Sequence, residues 1–379
     1  MFNMDLEKQK KRQSLKVIIS EAIMVLAVIV TVTVLAFIVS GYWINSDFKV
    51  ERQGMLQISS LPTGADVNID GETSSWLQRT NTSKVLTSGE HTITLSKEGY
   101  DTWTKTVDVK EGLLYRLHYP RLFLNDREKT NVYDAIGTTE VFVSEDADTM
   151  LLYSGAVESL DVKALENPTT ENKASAEHLD EVLKEWTLLE LTSSELTAKP
   201  VDYRTLYGFF KKPEEKKPPK DQLKNFGLDI TFPATAELMF SKFFDDQYLT
   251  VLDGAKVTVY KKGNDEPIFT SELSFTPAKH YAGHEGEFIV FYTGAQLATL
   301  DMESLTVTEW NVDGAEFDWL DSDMIYSVKE GELFVYDYDS LNRRSLAKNV
   351  SDRFPVVITN NRWMYYFSND NLVRELIAR

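Results

Sequence analysis

The chain has no cysteine among its 379 residues. A lipid anchor attached through cysteine is therefore excluded for this sequence, and so is stabilisation by disulfide bonds. Eukaryotic extracellular domains of this size often carry disulfides. Their absence favours a bacterial or archaeal surface protein that is stabilised by core burial alone.

Catalytic and cofactor motifs are lacking as well. The sequence contains no G-x-S-x-G, no P-loop, no G-x-G-x-x-G and no H-E-x-x-H. His280 and His284 have a spacing of four, with Glu285 and Glu287 beside them, but Gly283 and Gly286 would break a helix there. We predict exposed or hydrogen-bonded histidines rather than a metal site.

The acidic residues also lack a calcium pattern. Asp318, Asp321 and Asp323 come nearest, yet they do not have the spacing of a calcium loop and predict an Asp-capped turn. Three tryptophans, at 310, 319 and 363, are interpreted as core residues rather than sugar platforms. We assign no catalytic, cofactor-binding or metal-ligating residue and expect no cofactor.

Basic residues are outnumbered, 40 against 59 acidic residues, which gives a net charge of −19. Nucleic-acid binding usually needs a basic face, so this function is argued against. Clustered positive charge occurs in the Lys- and Pro-rich segment 211–220, which is predicted to be an exposed loop. That loop is a candidate contact for an anionic envelope polymer.

One long uncharged run dominates the N-terminal region. Residues 22–39 contain no charge, and at ~1.5 Å per helical residue they span ~27 Å, close to the thickness of a bilayer core. Tyr42 and Trp43 would lie at the interface, and Thr31 and Thr33 can return their hydroxyls to the preceding turn. We predict a transmembrane helix at 22–44. A cleaved signal peptide and a buried soluble helix are the alternatives.

The flanking charges give this helix a direction. Residues 1–21 carry five basic and three acidic groups, whereas Lys49 and Arg52 alone follow the span closely. Positive segments stay in the cytoplasm, so the basic head at 1–21 is predicted inside and the acidic body outside. The expected location is the cell membrane, single-pass, with extracellular C-terminal domains.

Two motifs follow the span in order. Residues 62–71 read P-x-G-A-x-V-x-x-D-G, and residues 89–100 read G-x-H-x-I-x-L-x-x-x-G-Y, within strands that alternate in period two. Residues 54–120 therefore resemble the PEGA domain, a small β-sandwich of prokaryotic envelope proteins. The resemblance implies an extracytoplasmic location and no catalysis. One departure is the polar segment 76–84, which lacks the Thr-Pro pair of many members and indicates a longer or reshaped hairpin.

The remainder, 121–379, contains a repeated unit of strand, tight turn and strand. Copies start at residues 150, 248, 288, 324 and 363, and the turn positions Gly254, Gly294, Gly331 and Asp370 lie 37 to 40 residues apart. This spacing is typical of a four-stranded propeller blade. We predict a β-propeller-like domain of five or six blades, closed by a strand from 121–143. A two-sheet sandwich is the alternative.

Two insertions interrupt the predicted propeller. Residues 157–185 separate the first hairpin from its continuation at Trp186–Thr192, and Leu179, Val182, Leu183 and Trp186 have the spacing of an amphipathic helix. Residues 204–230 form the second insertion, which is predicted to be an exposed loop. The fold class is thus mainly β: a single transmembrane helix, a PEGA-like sandwich and a propeller with helical and loop insertions.

Three functions stay open at this point. The first is a non-catalytic, membrane-anchored binding or scaffold protein of a prokaryotic envelope, whose propeller contacts a protein or glycan. The second is an extracytoplasmic hydrolase of envelope polysaccharide, because carboxylates distant in sequence can meet in space. The third is a passive spacer. The sequence does not indicate the ligand or the oligomeric state.

Overall fold

The computed structural model describes residues 20–21, 23–37, 42–44, 50–73, 79–144, 146–157, 183–191, 196–210, 222–243, 246–283, 286–314 and 317–379. The chain divides into two compact units. Unit 1 comprises Met1–Thr94 and Thr106–His118, and unit 2 comprises Leu95–Lys105 and Tyr119–Arg379.

Residues 20–21 and 23–37 are helical. The hydroxyl oxygens of Thr31 and Thr33 each donate to the carbonyl four residues earlier, at 2.8 Å, as predicted. The apolar side chains of this helix are solvent-exposed, from 37% at Phe37 to 64% at Met24. In the part of the chain that can be described, we find no helix with both the length and the apolar character to cross a bilayer.

The predicted extent of the N-terminal helix, 22–44, is wrong at its C-terminal end. Tyr42–Ile44 is a strand, β1, and pairs antiparallel with Val50–Arg52. Tyr, Trp and Ile all favour extended backbone, and a pairing partner lies a few residues further on. Local β propensity and a tight return therefore override the apolar continuity that suggested a helix.

Unit 1 contains a four-stranded sheet centred on β2 (Val50–Ile58). Strand β5 (Thr82–Thr87) pairs antiparallel along one edge of β2, while β1 and the parallel strand β8 (Leu114–Leu117) share the other edge. Leu56 and Ile58 are fully buried, as their alternation with Gln57 and Ser59 predicts.

A second sheet has the order β4-β3-β6-β7. The strands are β3 (Asp66–Ile69), β4 (Glu72–Thr73), β6 (Gly89–Ser96) and β7 (Trp103–Val109). Asp70 and Gly71 have φ angles of 55° and 81°, which gives the hairpin turn expected of a D-G pair. Ala65 and Val67 are buried. The predicted motif therefore forms the turn and the strand face expected of it.

Unit 2 consists mainly of four-stranded antiparallel sheets, which we call blades. Five are present in the described residues, each with its strands in chain order except the last. Blade 1 contains β10 (Glu140–Val143), β11 (Thr149–Tyr153), β12 (Trp186–Glu190) and β13 (Thr197–Pro200). Blade 2 contains β14 (Glu237–Phe243), β15 (Asp246–Asp253), β16 (Lys256–Lys261) and β17 (Pro267–Glu272).

The other three blades repeat this pattern. Blade 3 contains β18 (Lys279–Gly283), β19 (Phe288–Thr293), β20 (Gln296–Asp301) and β21 (Thr306–Asn311). Blade 4 contains β22 (Asp318–Trp319), β23 (Met324–Lys329), β24 (Glu332–Asp337) and β25 (Arg344–Lys348). Blade 5 contains β26 (Val357–Thr359), β27 (Trp363–Ser368), β28 (Asn371–Leu376) and β9 (Lys129–Asp134).

Strand β9 supplies the fourth strand of blade 5, so the predicted closure by a strand from 121–143 is confirmed. A buried carboxylate fixes this closure. Glu375 accepts from Arg127 Nε at 2.6 Å and from the Tyr366 hydroxyl at 2.9 Å, and Lys129 Nζ lies 3.4 Å away. Because Glu375 is fully buried, its two cations and one hydroxyl compensate the cost of burying the charge.

Apolar clusters join neighbouring blades and also the first to the last. Met150 and Leu189 of blade 1 pack with Tyr365 and Phe367 of blade 5. Other clusters join blade 2 to blade 3 and blade 4 to blade 5. A series of consecutive blades whose first member packs on its last is the arrangement of a β-propeller.

The repeated turns also agree with the sequence. Gly254, Gly294, Gly331 and Asp370 all have positive φ, from 55° to 76°. Each lies at the hairpin between the second and third strands of a blade. In blade 1 the same two strands, β11 and β12, still pair although the first insertion separates them. The predicted resumption at Trp186 is therefore correct.

The second insertion is not an exposed loop throughout, which corrects the prediction for 204–230. It contains two helices, α1 (Tyr203–Phe210) and α2 (Gln222–Phe226). Leu206 packs on blade 1, and Phe226 and Leu228 pack on blade 2, all three buried. The apolar residues flanking the Lys- and Pro-rich segment provide this packing. The segment 211–220 itself, and residues 179–182 of the predicted helix at 179–186, lie outside the described residues; Leu183 is helical, whereas Trp186 begins strand β12.

Candidate functional site

The first strands of blades 2, 3 and 4 carry the candidate site. In a propeller the blades surround a central channel. In blade 5 the closing strand β9 forms one edge of the sheet and the first strand, β26, forms the other edge. The first strands are therefore the ones next to the axis. Strand β18 is largely exposed along its length, as expected of a strand that borders this channel.

A polar contact joins the first strands of blades 2 and 3. His280 Nδ1 lies 3.0 Å from Glu237 Oε2. Both side chains are partly exposed, so solvent screens the pair and it adds little to stability. The His280–Glu237 pair is nevertheless suited to ligand recognition, because it places an imidazole and a carboxylate side by side on an accessible surface.

Aromatic rings join the first strands of blades 3 and 4. The ring centroids of Tyr281 and Trp319 are 4.0 Å apart with an interplanar angle of 31°. Nearby, Tyr292 and Phe317 make an edge-to-face contact with centroids 4.9 Å apart. All four residues are only half-buried. The contacts leave part of each aromatic surface available to a ligand.

Carboxylates lie close to these rings. Burial raises the pKa of Tyr281, and the charges of Asp323 and Asp321 raise it further. Burial and the charge of Asp318 act in the same way on the pKa of Tyr292. Both phenols are therefore neutral hydrogen-bond donors at physiological pH.

Asp318 belongs to the same surface. Although the residue as a whole is exposed, burial of its carboxyl raises the pKa, and the positive charge of Lys279 offsets part of that rise. We define the inner aromatic surface as Tyr281, Tyr292, Phe317, Asp318 and Trp319. Ring faces beside carboxylate and phenol groups are suited to binding a sugar or a cationic side chain.

A second group of acidic residues is enclosed within unit 2. Asp337 Oδ2 accepts from Trp103 Nε1 at 2.6 Å and from Asn342 Nδ2 at 2.9 Å, and Lys105 pairs with Asp339 at 2.6 Å. Asp337 has no exposed surface. A carboxyl that no solvent reaches cannot contact a polymer substrate, so this group holds the segment 101–105 on blade 4.

The residues singled out in the sequence are placed as follows. His280 joins the contact with Glu237, whereas His284 and Glu285 lie outside the described residues. Asp321 caps its turn by accepting from the backbone N–H groups of residues 323 and 324, as predicted, and it also pairs with Arg121. Within the described ranges, no group of three or more His, Asp or Glu residues is placed to hold a metal ion.

The tryptophans predicted to be core residues lie at the margin of the core, and Trp363 packs against the apolar cluster that joins blades 1 and 5. Trp310, Trp319 and Trp363 are half-buried and none is part of the fully buried core. Trp310 donates to Thr299 at 3.2 Å, and the guanidinium carbons of Arg362 and Arg374 lie 5.6 and 4.5 Å from the centroid of the Trp363 ring. All three tryptophans lie at or next to a strand end: Trp310 in β21, Trp319 in β22 and Trp363 in β27.

Sequence reasoning missed Tyr281, Tyr292 and Phe317. A signal was available, because Tyr281 and Trp319 lie about one blade repeat apart, each near the start of a blade. Recognising them required the strand positions that the structure provides.

Comparison with known families and structures agrees with part of this description. Residues 53–120 match the PEGA domain family model. The predicted PEGA resemblance is confirmed. No curated protein matches the chain at a significant level.

Three solved structures illustrate the structural likenesses. The C-terminal WD40 domain of Sif2 is 10% identical, with a TM-score of 0.26 over 65% of this chain and 59% of that chain. The Myceliophteria thermophila Swd1 propeller domain is 8% identical, with a TM-score of 0.24 over 86% and 97%. Citrobacter koseri AztD is 10% identical, with a TM-score of 0.24 over 69% and 56%.

Among the first four structural matches, the chain covers 42–59% of the matched chains. TM-scores this far below 0.5 support no inference. The propeller assignment therefore rests on the strand pairing, and together with the PEGA match it suggests a binding or scaffold role.

Proposed function

We propose that the protein is a membrane-anchored, extracytoplasmic binding or scaffold protein of a prokaryotic envelope, with no catalytic activity. The observation that supports this proposal most directly is the exposed apolar helix at 23–37. Its side chains are roughly half or more exposed over most of its length. A continuous apolar surface of this kind is unfavourable in water and suits a lipid environment. The basic head supports a cytoplasmic N-terminus.

The propeller would then present the inner aromatic surface to a protein or glycan partner. Aromatic faces and half-exposed carboxylates provide stacking and hydrogen bonding for such a partner. Binding without turnover is the simpler proposal, because the most strongly perturbed carboxyl, Asp337, is enclosed and bonded within the fold. No role with nucleic acid is proposed for so acidic a chain.

Membrane topology can be tested with single cysteines, since the chain has none of its own. Ser14→Cys marks the head and Asp126→Cys marks an exposed position of the body. On intact cells a membrane-impermeant maleimide should label Asp126→Cys and leave Ser14→Cys unlabelled until the cells are opened. Labelling of both positions, or of neither, would contradict the orientation.

Partner contact can be tested with a photo-crosslinking residue. Placed at Tyr292 on intact cells, it should give one reproducible adduct, and at Thr308, exposed on the outer strand of the same blade, it should give none. Equal adducts at both positions would argue against the inner aromatic surface. Release of sugar fragments from isolated envelope by the full chain would overturn the non-catalytic assignment.

A further inference from the structure

Unit 1 carries an exposed apolar patch outside its N-terminal helix. Met55 is 42% exposed, and Val85 and Leu113 are each 56% exposed. Among the described residues of unit 1 beyond that helix, these are the large hydrophobic side chains with high exposure. They are neighbours: Met55 pairs with Val85 across β2 and β5, and its backbone N–H donates to the carbonyl of Leu113 at 2.9 Å.

The patch lies on the outer face of the β2 sheet. Leu56 and Ile58 point inward and are buried, so the alternate residues of β2 and their partners on β5 point outward. From position 53 onward, these outward residues are Gln53, Met55, Gln57, Ser83, Val85 and Thr87. By register, Leu114 and Arg116 of β8 continue the same face beside Met55 and Gln57.

This outer face has an unusual charge for this protein. None of these eight residues is acidic, although the chain contains 59 acidic residues, and the one charged residue among them is Arg116. An apolar centre with uncharged polar neighbours and one cation is compatible with lipid headgroups. The acidic remainder of the chain would be repelled by an anionic membrane.

The chain length places this face near the end of the N-terminal helix. The helix is described to residue 37, and β1 begins at Tyr42, so the connection spans at most ~18 Å even if fully extended. Strand β1 pairs with Val50–Arg52 of β2, and Met55 follows three residues later on the same strand, ~10 Å further along.

We propose that this outer face rests on the membrane surface, with Met55 and Val85 in the interfacial region and Arg116 among the lipid phosphates. The proposal rests on the membrane anchor proposed above. A lipid surface is the favoured occupant because the anchor brings it within reach and because the eight residues around Met55 and Val85 include no carboxylate. A second copy of the chain is the competing occupant.

The test uses single cysteines in the full chain reconstituted into vesicles. Val85→Cys and the control Asp108→Cys, exposed on β7 of the other sheet, each carry an environment-sensitive fluorophore. In phosphatidylcholine vesicles containing phosphatidylglycerol, brominated lipids should quench the label at position 85 at least twofold more than the label at position 108. Adding Met55→Glu to Val85→Cys should remove most of that difference.

The outcomes separate the two proposals. Extraction of the full chain by alkaline carbonate would refute the anchor itself. A chain that stays anchored while the two labels respond equally would refute the surface contact alone. A change at position 85 that follows protein density and ignores brominated lipid would assign the face to a second copy instead.

Discussion

The buried carboxyl of Asp337 predicts a specific dependence of stability on pH. One of its oxygens accepts from both Trp103 and Asn342, while Oδ1 has no hydrogen-bond partner in the described structure. Burial, reinforced by the nearby charge of Asp339, raises the pKa of Asp337 from 3.8 to about 7. The substitution to be tested is Asp337→Asn. It keeps a side-chain oxygen that accepts from Trp103 and Asn342, and it removes the ionisable carboxyl.

The magnitude follows from linkage. A carboxyl whose pKa is raised in the folded state contributes stability that is present below the unfolded pKa of 3.8 and is lost as pH rises toward 7. One pKa unit corresponds to ~1.4 kcal/mol, so the full loss is on the order of 4 kcal/mol. Roughly half or more of this loss should occur between pH 5 and pH 8.

The assay is chemical denaturation of the full chain in detergent at pH 5 and pH 8, for the wild type and Asp337→Asn. Other acidic residues titrate in both proteins, so the difference between the two isolates Asp337. The variant should gain stability relative to the wild type as pH rises. Asp339→Asn is a comparison variant: losing the partner of buried Lys105 should destabilise the fold at both pH values, and losing the charge that raises the pKa of Asp337 should also reduce the pH-dependent loss. An unchanged difference across this pH range would refute the reasoning.

Three further changes have expected outcomes, each measured by denaturation of the full chain. Gly54→Ala should cost about 1–3 kcal/mol, because a Cβ there would meet atoms of the 109–113 segment. Glu375→Ala should cost about 3–5 kcal/mol, since it removes the buried carboxylate that pairs with Arg127 and accepts from Tyr366, and should raise proteolysis of β9. Gly254→Val should cost about 1–2 kcal/mol at its φ of 62°. Gly254→Asn should cost less, as Asp370 holds the equivalent position, and an equal cost would contradict the backbone argument.

The local patterns were readable without the structure. The D-G hairpin at 70–71, the burial of Leu56 and Ile58, and the repeated turns from Gly254 to Asp370 depend on neighbouring residues and on period-two alternation. The closing strand was also predictable, because an incomplete last blade implies a missing partner. These features are encoded within single strands and turns.

Errors arose where distant residues decide the outcome. Tyr42–Ile44 becomes a strand because β2 returns to pair with it. Leu206 and Phe226, on either side of a charged segment, are buried because blades 1 and 2 offer apolar surfaces to them.

The sequence by itself determined the order of the parts: an apolar helical run, a PEGA domain and repeated blades, since each is written in contiguous residues. Tertiary structure alone decided which side chains meet. Tyr281 stacks on Trp319, Asp337 is enclosed, and Met55 and Val85 share one exposed face. Such contacts depend on strand register and blade order, which bring together residues that no local pattern relates.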